Sequence, residues 1–334
     1  KNERVDCSGG LYPMHGRTMR DHNRRKGGYG VLSVSEILEQ SSNIGVSRLI
    51  DKAYHNTPQK YVDGLKELGV GVPLNVPFVG KGEPIIPQPN SKKRYWSKTD
   101  LAWMSIGYVT QLTPIHTLTF YNGIANNGRM MKPRFVKAEI DNGIVVREFP
   151  TEVLVQQMCK PSTLKDIQFC LNNVVSIGLG RKAGNGGKLF QVSGKTGTAQ
   201  VASGTKGYHS GTTRYMVSFC GYFPSEAPKY SCIVCIVKDG MPASGGGQCG
   251  PVFSQISQFI MAQTLERDAS ELADSLSVFT PINKIARSKA DNNLTKIPDV
   301  RGMGAKDAVY VMKKRGIRVN IQGAGMVKSQ SIVP

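Results

Sequence analysis

Ser193-Gly194-Lys195-Thr196-Gly197-Thr198-Ala199-Gln200 is the stretch whose reading decides the fold. It is small, polar and punctuated by Gly, yet apolar residues flank it. Leu189, Phe190 and Val192 come before it and Val201 follows, so it reads as one strand with a reactive edge. A Gly inside a strand marks a place where another backbone comes close. A Lys and two Thr beside Gly197 set an ammonium, two hydroxyls and a free N–H on one short ledge. Such a ledge suits a substrate that ends in a carboxylate and lies alongside as an extra strand. The competing reading is an exposed edge strand blunted by Lys and Gly.

The neighbouring segments supply the rest of a sheet. Alternating apolar residues predict strands around Met216 to Tyr222 and Tyr230 to Val237. After Gly245-Gly246-Gly247, Pro251 starts a helix expected to turn Val252, Phe253, Ile256 and Ile260 inward. Before the ledge, Leu164, Ile167, Leu171, Val174 and Val175 form a helical stripe, and a Gly-rich segment from Gly178 to Gly187 follows. Further upstream, residues 1–30 are polar and basic and read as loops and short strands. Ser33-Val-Ser-Glu36 is a capping box for a helix that stops near Gln40. Ser41-Ser42-Asn43 then reads as a turn with outward side chains, before Ile44, Val46, Leu49 and Ile50 resume a helical face. Thr57-Pro58 opens a helix that Gly69 closes. Thr99 begins another. Thr113-Pro114 begins a third, with Ile115, Leu118, Asn122 and Ala125 on one stripe. A strand follows around Phe135 to Ile140, and Asn142-Gly143 reads as a hairpin turn to Val145 to Phe149. Helices, then consecutive strands, then a helix predict an α+β domain: an antiparallel sheet sandwiched by helices.

The chain has 334 residues, of which 40% are hydrophobic and 20% charged, enough for a large core. The net charge of +19 points to anionic partners. Zinc-finger spacing and clustered RNA-binding aromatics are missing, so nucleic acid is not an expected partner. The seven Cys are irregularly spaced, and Cys232 and Cys235 fall inside a β-branched strand, where positions three apart face opposite ways. Cys220, Cys232 and Cys235 are therefore expected to be buried packing residues. The five His show no metal-ligand spacing and no Ser-His-Asp partner, so neither a metal nor a cofactor is expected. The sequence has no apolar run of about 18 residues.

Two motifs carry chemistry: Ser-x-Asn at Ser41 and Asn43, and Lys-Thr-Gly at Lys195 to Gly197. With Ser105-Ile-Gly-Tyr108, Leu112-Thr-Pro114, Gly123 to Gly128 and Ser218-Phe-Cys-Gly-Tyr222, residues 5–266 resemble the transpeptidase domain of class B penicillin-binding proteins. Ile297-Pro-Asp-Val-Arg-Gly302, followed by a helix with Ala305, Ala308, Val309 and Met312 and a strand at Ile317, Val319 and Ile321, resembles a PASTA domain. Together they are similar to division-type members of that family. The boundaries expected are a transpeptidase domain over 1–266, a linker over 267–295 and a PASTA-like unit over 296–334. That last unit, about 38 residues, is too small for a full core by itself.

The resemblance implies a serine-type D-Ala-D-Ala transpeptidase that cross-links peptidoglycan stem peptides through an acyl-enzyme and is a target of β-lactams, in septal wall synthesis. It assigns Ser41 to proton shuttling and Asn43 to the substrate amide. Lys195 would add positive potential and hydrogen-bond Ser41. Thr196 and Thr198 would bind the substrate or β-lactam carboxylate. Gly197 would let substrate lie beside the strand, and the Thr198 N–H would form half of an oxyanion hole. It further implies the extracytoplasmic face of the bacterial inner membrane, an anchoring N-terminal helix outside these residues, and divisome membrane proteins as partners. One departure matters. The family's nucleophile lies in a Ser-x-x-Lys several dozen residues before Ser-x-Asn, and none of the 40 residues before Ser41 fits. Ser162-Thr-Leu-Lys165 matches the letters but lies after Ser41, as a helix-start residue behind Pro161. The expectation is a fragment that begins downstream of its nucleophile and is inert alone. A non-catalytic wall-binding scaffold, or a penicillin sensor, is the alternative.

Overall fold

In the computed structural model, residues 3–77, 82–92, 94–141, 144–184, 189–202, 212–271, 297–314, 316–320, 322–323 and 325–331 are described, with backbone alone at 265–271, 306 and 314. The chain divides into two compact units, Lys1–Thr264 and Leu265–Pro334.

The first unit is built on three antiparallel strands: β9 (Ser193–Val201), β10 (Arg214–Phe223) and β11 (Tyr230–Asp239), with β10 in the centre. Alternation along β10 separates two cores. Val217, Phe219 and Phe223 pack with Phe253 and Met261 of helix α8 (Gly250–Glu271) and with Val175 and Ala183. The rings of Phe219 and Phe253 meet edge to face at 4.7 Å. Tyr222, of opposite parity, packs on the other face. There it joins Ile124 of α5 (Pro114–Ala125), Leu164 and Leu171 of α6 (Pro161–Ser176), and Met130 of the short strand β5 (Met130–Met131), which pairs with β8 (Val153–Val155). The sheet is thus sandwiched by helices, as its sequence order predicts. Gly194 and Gly221 sit side by side between β9 and β10, and the Phe219 ring lies over both. A Cβ on Gly194 would stand 2.7 Å from that ring, so neither position has room for a side chain.

The third core lies in the N-terminal segment. Strand β1 (Arg4–Asp6) pairs with β4 (Val31–Ser33), and β2 (Leu11–Met14) pairs with β3 (Arg17–Arg20). Val5, Met14, Met19 and Leu32 from these strands pack on Ile37 of α1 (Val34–Glu39), Ile44 of α2 (Asn43–Tyr54) and Ala102 of α4 (Asp100–Met104). Ser33 and Glu36 make the reciprocal capping box, and α1 ends at Gln40. Helix α3 (Pro58–Glu67) starts with Pro and is followed by Gly69 at φ +82°.

Several local expectations are corrected. In α5 the buried positions are His116, Thr119 and Gly123, with Ile124 and Ala125, not the stripe through Ile115, Leu118 and Asn122. Thr119 hides its hydroxyl by donating to the Ile115 carbonyl, so a polar residue fills a core position. Val252 is exposed, and Ser254 and Ser257 take buried places on α8 instead. The strand expected from Phe135 begins at Ala138 as β6 (Ala138–Asp141). It pairs with β7 (Ile144–Glu148), and the Asn142-Gly143 turn lies outside the described residues. The Gly-rich segment holds a helical turn, α7 (Arg181–Gly184), and its residues 185–188 are not described. Cys220 is buried and Cys232 partly so, but Cys235 is exposed. Pairing to Gly221 and Ser218 puts those last two on opposite faces.

Helix α8 continues to Glu271, beyond the expected boundary at 266, and 272–296 lie outside the described residues. In the second unit, α9 (Ala305–Lys314) buries Ala308 and Met312 against Val300, and Gly316 follows at φ +72°. The strand expected at Ile317 to Ile321 is not seen. Residues 317–320 have no regular structure, and Ile321 is outside the described residues. Gly304 instead makes an isolated bridge to Met326. Among the described residues, no helix is long and apolar enough to cross a membrane.

Candidate active site

The turn between α1 and α2 and the edge of the sheet converge. Lys195 Nζ donates to Ser41 Oγ at 2.8 Å, joining residues 154 apart. Ser41 takes a left-handed conformation, φ +53°, an uncommon state for a residue with a side chain. The expectation of three outward side chains fails at Ser42. It is 1% exposed and caps α2 by accepting from the Gly45 N–H. Its hydroxyl donates to Asp21 Oδ2 at 2.7 Å, and Asp21 Oδ1 accepts the Ile44 N–H. Asp21 is itself 1% exposed. A buried carboxylate therefore holds the turn. Asn43 Nδ2 donates to the Arg20 carbonyl at 2.9 Å, which leaves Oδ1 as the group it can turn toward a ligand.

Sequence reasoning missed Asp21, His22 and Tyr29. Tyr29 Oη bonds His22 Nε2 at 3.0 Å and the Gln40 carbonyl at 3.3 Å, so it braces the residue before Ser41. Burial pushes the Tyr29 hydroxyl up to about 12, which keeps it protonated. His22 is pushed below its usual range, first by burial and then by the charges of Lys195 and Lys26, against the pull of Asp21. The signal was present in the text: Asp21-His22 interrupts an otherwise basic run from Arg17 to Lys26.

Strand β9 is an edge of the sheet. Gln200 N–H leaves the ladder and donates to Tyr108 Oη at 3.2 Å. Backbone direction alternates along an antiparallel strand, so Thr196 and Thr198, of the same parity, also turn their N–H and C=O groups outward. The Thr196 carbonyl indeed accepts from Lys195 Nζ at 3.2 Å. Half-buried Lys195 is pushed down to about 8 by burial. It remains mostly protonated at neutral pH but has a proton to exchange. The ledge is less open than expected. The π-helical turn Gly245–Cys249 lies against it, and the Gly245 N–H donates to Thr198 Oγ1 at 3.3 Å. A Cβ on Gly245 would stand 2.5 Å from the Gly197 carbonyl oxygen, and one on Gly197 the same distance from Ser218 Oγ. Gly197 thus has this chain's own neighbours packed closely against it. Ser162 is exposed in the first turn of α6.

A three-stranded antiparallel sheet between helices, with an edge Lys bonded to a Ser at an inter-helix turn, is a fold of the penicillin-binding protein and β-lactamase type. The penicillin binding protein transpeptidase domain matches residues 1–258, and the PASTA domain matches residues 295–334. The chain belongs to the penicillin-binding protein transpeptidase family. It is 25% identical over 312 residues to stage V sporulation protein D of Bacillus subtilis strain 168, covering 91% of this chain and 44% of that protein. It is 25% identical over 272 residues to the peptidoglycan D,D-transpeptidase FtsI of Escherichia coli K12, covering 79% and 41%. The apo structure of penicillin binding protein 3 from Mycobacterium tuberculosis superposes with a TM-score of 0.64 at 25% identity, covering 79% of this chain and 58% of that one. The chain spans about two fifths of the length of these curated relatives.

Proposed function

We propose that this chain is the substrate-gripping part of a peptidoglycan D,D-transpeptidase of the division type. The observation that carries this reading is the bond from Lys195 Nζ to Ser41 Oγ beside an outward-facing strand edge. In this role the protonated Lys195 and the hydroxyls of Thr196 and Thr198 bind the terminal carboxylate of a D-Ala-D-Ala stem peptide, or that of a β-lactam. Displacing the Gly245 N–H from Thr198 Oγ1 frees that hydroxyl. The outward Thr198 N–H donates to the developing oxyanion, a donor worth roughly 2.7–4 kcal/mol. Ser41, bonded to a Lys with a lowered proton affinity, passes a proton toward the leaving amine. Asn43 holds the substrate amide through Oδ1. An acyl-enzyme needs a serine nucleophile besides Ser41, and the exposed helix end that carries Ser162 supports the reading that it is not that residue. The setting is the outer face of the bacterial inner membrane, in septal wall synthesis with other division proteins; the family resemblance and the FtsI relatives support that part.

The test has two arms. A stem-peptide analogue ending in D-Ala-D-Ala is titrated into the chain by NMR, with shifts expected at Thr196–Thr198 and lost in Lys195→Ala. Labelled penicillin is added in parallel and read by intact mass, with no adduct expected. No ledge shifts would sink the binding role. A stoichiometric adduct would show that the chain carries its own nucleophile.

A further inference from the structure

At the far end of α2 from Ser41, three side chains converge that the site above does not use. His15 stands at the tip of the β2–β3 hairpin, and Asp51 and His55 stand one turn apart where α2 ends. His15 Nε2 lies 2.8 Å from Asp51 Oδ1, and His55 Nδ1 lies 3.2 Å from the same oxygen. All three ligand atoms fall within 4.8 Å of one another. The imidazole rings stack at 4.9 Å and 11°, and each turns one nitrogen to Asp51 Oδ1. We propose that His15, Asp51 and His55 bind one divalent transition-metal ion of the Zn2+ class.

The donor chemistry selects the ion. Two imidazoles and a carboxylate suit Zn2+, Cu2+ or Ni2+, whereas Ca2+ and Mg2+ take oxygen ligands. Bonds of about 2.0–2.2 Å in a tetrahedron put neighbouring ligand atoms about 3.3–3.6 Å apart. The His55 edge is almost there, the His15 edge needs to open by a few tenths of an ångström to roughly that length, and the two imidazole nitrogens, within 4.8 Å of each other, need to take up the same spacing. Three protein ligands leave a fourth position for water. The nearby cations are drawn elsewhere: Lys52 pairs with Glu3 at 2.7 Å and Arg48 with Asp6 at 3.5 Å. An adjoining cavity of about 340 Å³, lined by Tyr12, Met14, Asp51 and Lys52 among others, gives an ion a path to Asp51. His15 holds φ +50°, a conformation seldom taken without Gly, and Gly16 follows at φ +83°. These are the two positive-φ positions that a two-residue type I′ hairpin turn requires, and the turn sets His15 beside the end of α2. The i, i+4 spacing of Asp51 and His55 was legible in the sequence, but His15 comes from 36 residues away, so His spacing alone did not reveal the set.

The ion would clip the β2–β3 hairpin to α2. Those two elements also meet at the other end, where Arg20 accepts from Asn43 and Asp21 accepts from Ser42. A metal at His15 therefore fixes the frame on which the Ser41–Asn43 turn is mounted, without touching Lys195.

The test is calorimetric titration of the 334-residue chain with ZnCl2, beside Cu2+ electron paramagnetic resonance. One Zn2+ per chain is expected. His15→Asn, which keeps a residue tolerant of the left-handed turn, and His55→Gln each raise the dissociation constant about tenfold or more, since losing a ligand costs no less than losing a partner of one. Cys235→Ser, which removes the exposed thiol, leaves binding unchanged. The Cu2+ spectrum shows two nitrogen ligands in the wild type, which settles the donor set even if a His variant does not fold. Absence of binding, binding at wild-type strength in both His variants, loss of binding in Cys235→Ser, or a Cu2+ spectrum without nitrogen would each overturn the proposal.

Discussion

The sheet core and the Ser41–Asn43 turn are organised by opposite means. Around β10 the interior is apolar and aromatic: Phe219, Phe223 and Phe253 are fully buried, and the rings of Phe219 and Phe223 both meet that of Phe253. At the turn the centre is a carboxylate, Asp21, equally buried but satisfied by a hydroxyl and an N–H. The first region gains from area removed from water, which is non-directional and tolerant of small shifts. The second gains little net energy from hydrogen bonds, but it fixes directions and penalises any unpaired group. A binding ledge can be backed by the first kind of core. A residue that must meet Lys195 at 2.8 Å needs the second.

The largest break in this comparison is Phe253→Ala. It should cost about 3–5 kcal/mol in urea unfolding, because the Phe219 and Phe223 rings lose their shared neighbour. Next comes Asp21→Ala, which strands the Ser42 hydroxyl and the Ile44 N–H. A loss of about 2–3 kcal/mol is expected, with Asp21→Asn recovering part of it. Unlike Phe253→Ala, Asp21→Ala should also shift the NMR signals of Ser41 and Asn43 in the folded protein.

Lys195 sharpens the contrast through pH. Its proton leaves the folded chain near pH 8 and the unfolded chain near 10.5. The unfolded chain therefore holds more protons between those values, and Lys195 makes the fold more stable as pH rises through that window. Carboxylate binding at the ledge goes the other way. It should weaken by about tenfold between pH 7 and 9 as the ammonium is lost, and Lys195→Met should abolish the slope. Titration of a D-Ala-D-Ala peptide at several pH values reads this directly. The smallest effect is Ser33→Ala. It removes one half of a capping box and should cost about 1 kcal/mol, leaving the pH slope of peptide binding intact.

What was legible in the sequence follows the same division. Period-two alternation at Met216–Tyr222 and Tyr230–Val237, the 3.6 period of α6 and the Ser33–Glu36 capping box are local patterns, and each formed where it was read. The ledge was legible too, as a strand. The face of α5 was not, because Thr119 takes a core position by donating its hydroxyl to the Ile115 carbonyl, and His116 takes one while bonding Thr113 through Nδ1 alone. The burial of Ser42 was not, because it depends on Asp21, 21 residues upstream at the end of β3. Cys235 was read as buried from its β-branched neighbours. Strand β11, however, is a sheet edge, and only its Cys232, Val234 and Ile236 face packs on α8 and the aromatic core. Apolar period is carried by neighbours in sequence, whereas polar satisfaction is carried by neighbours in space.

The 154-residue span from Ser41 to Lys195 has a consequence for how the domain comes into being. A chain emerging from the ribosome exposes the Ser41 turn long before the strand that completes it. Helix α1 faces the same wait, since Glu39 is held by Asn173, 134 residues on. Such long-range closures make folding slow and late relative to synthesis. The early hairpins and helices can form at once around their own small core, but the site itself matures last, when β9 docks.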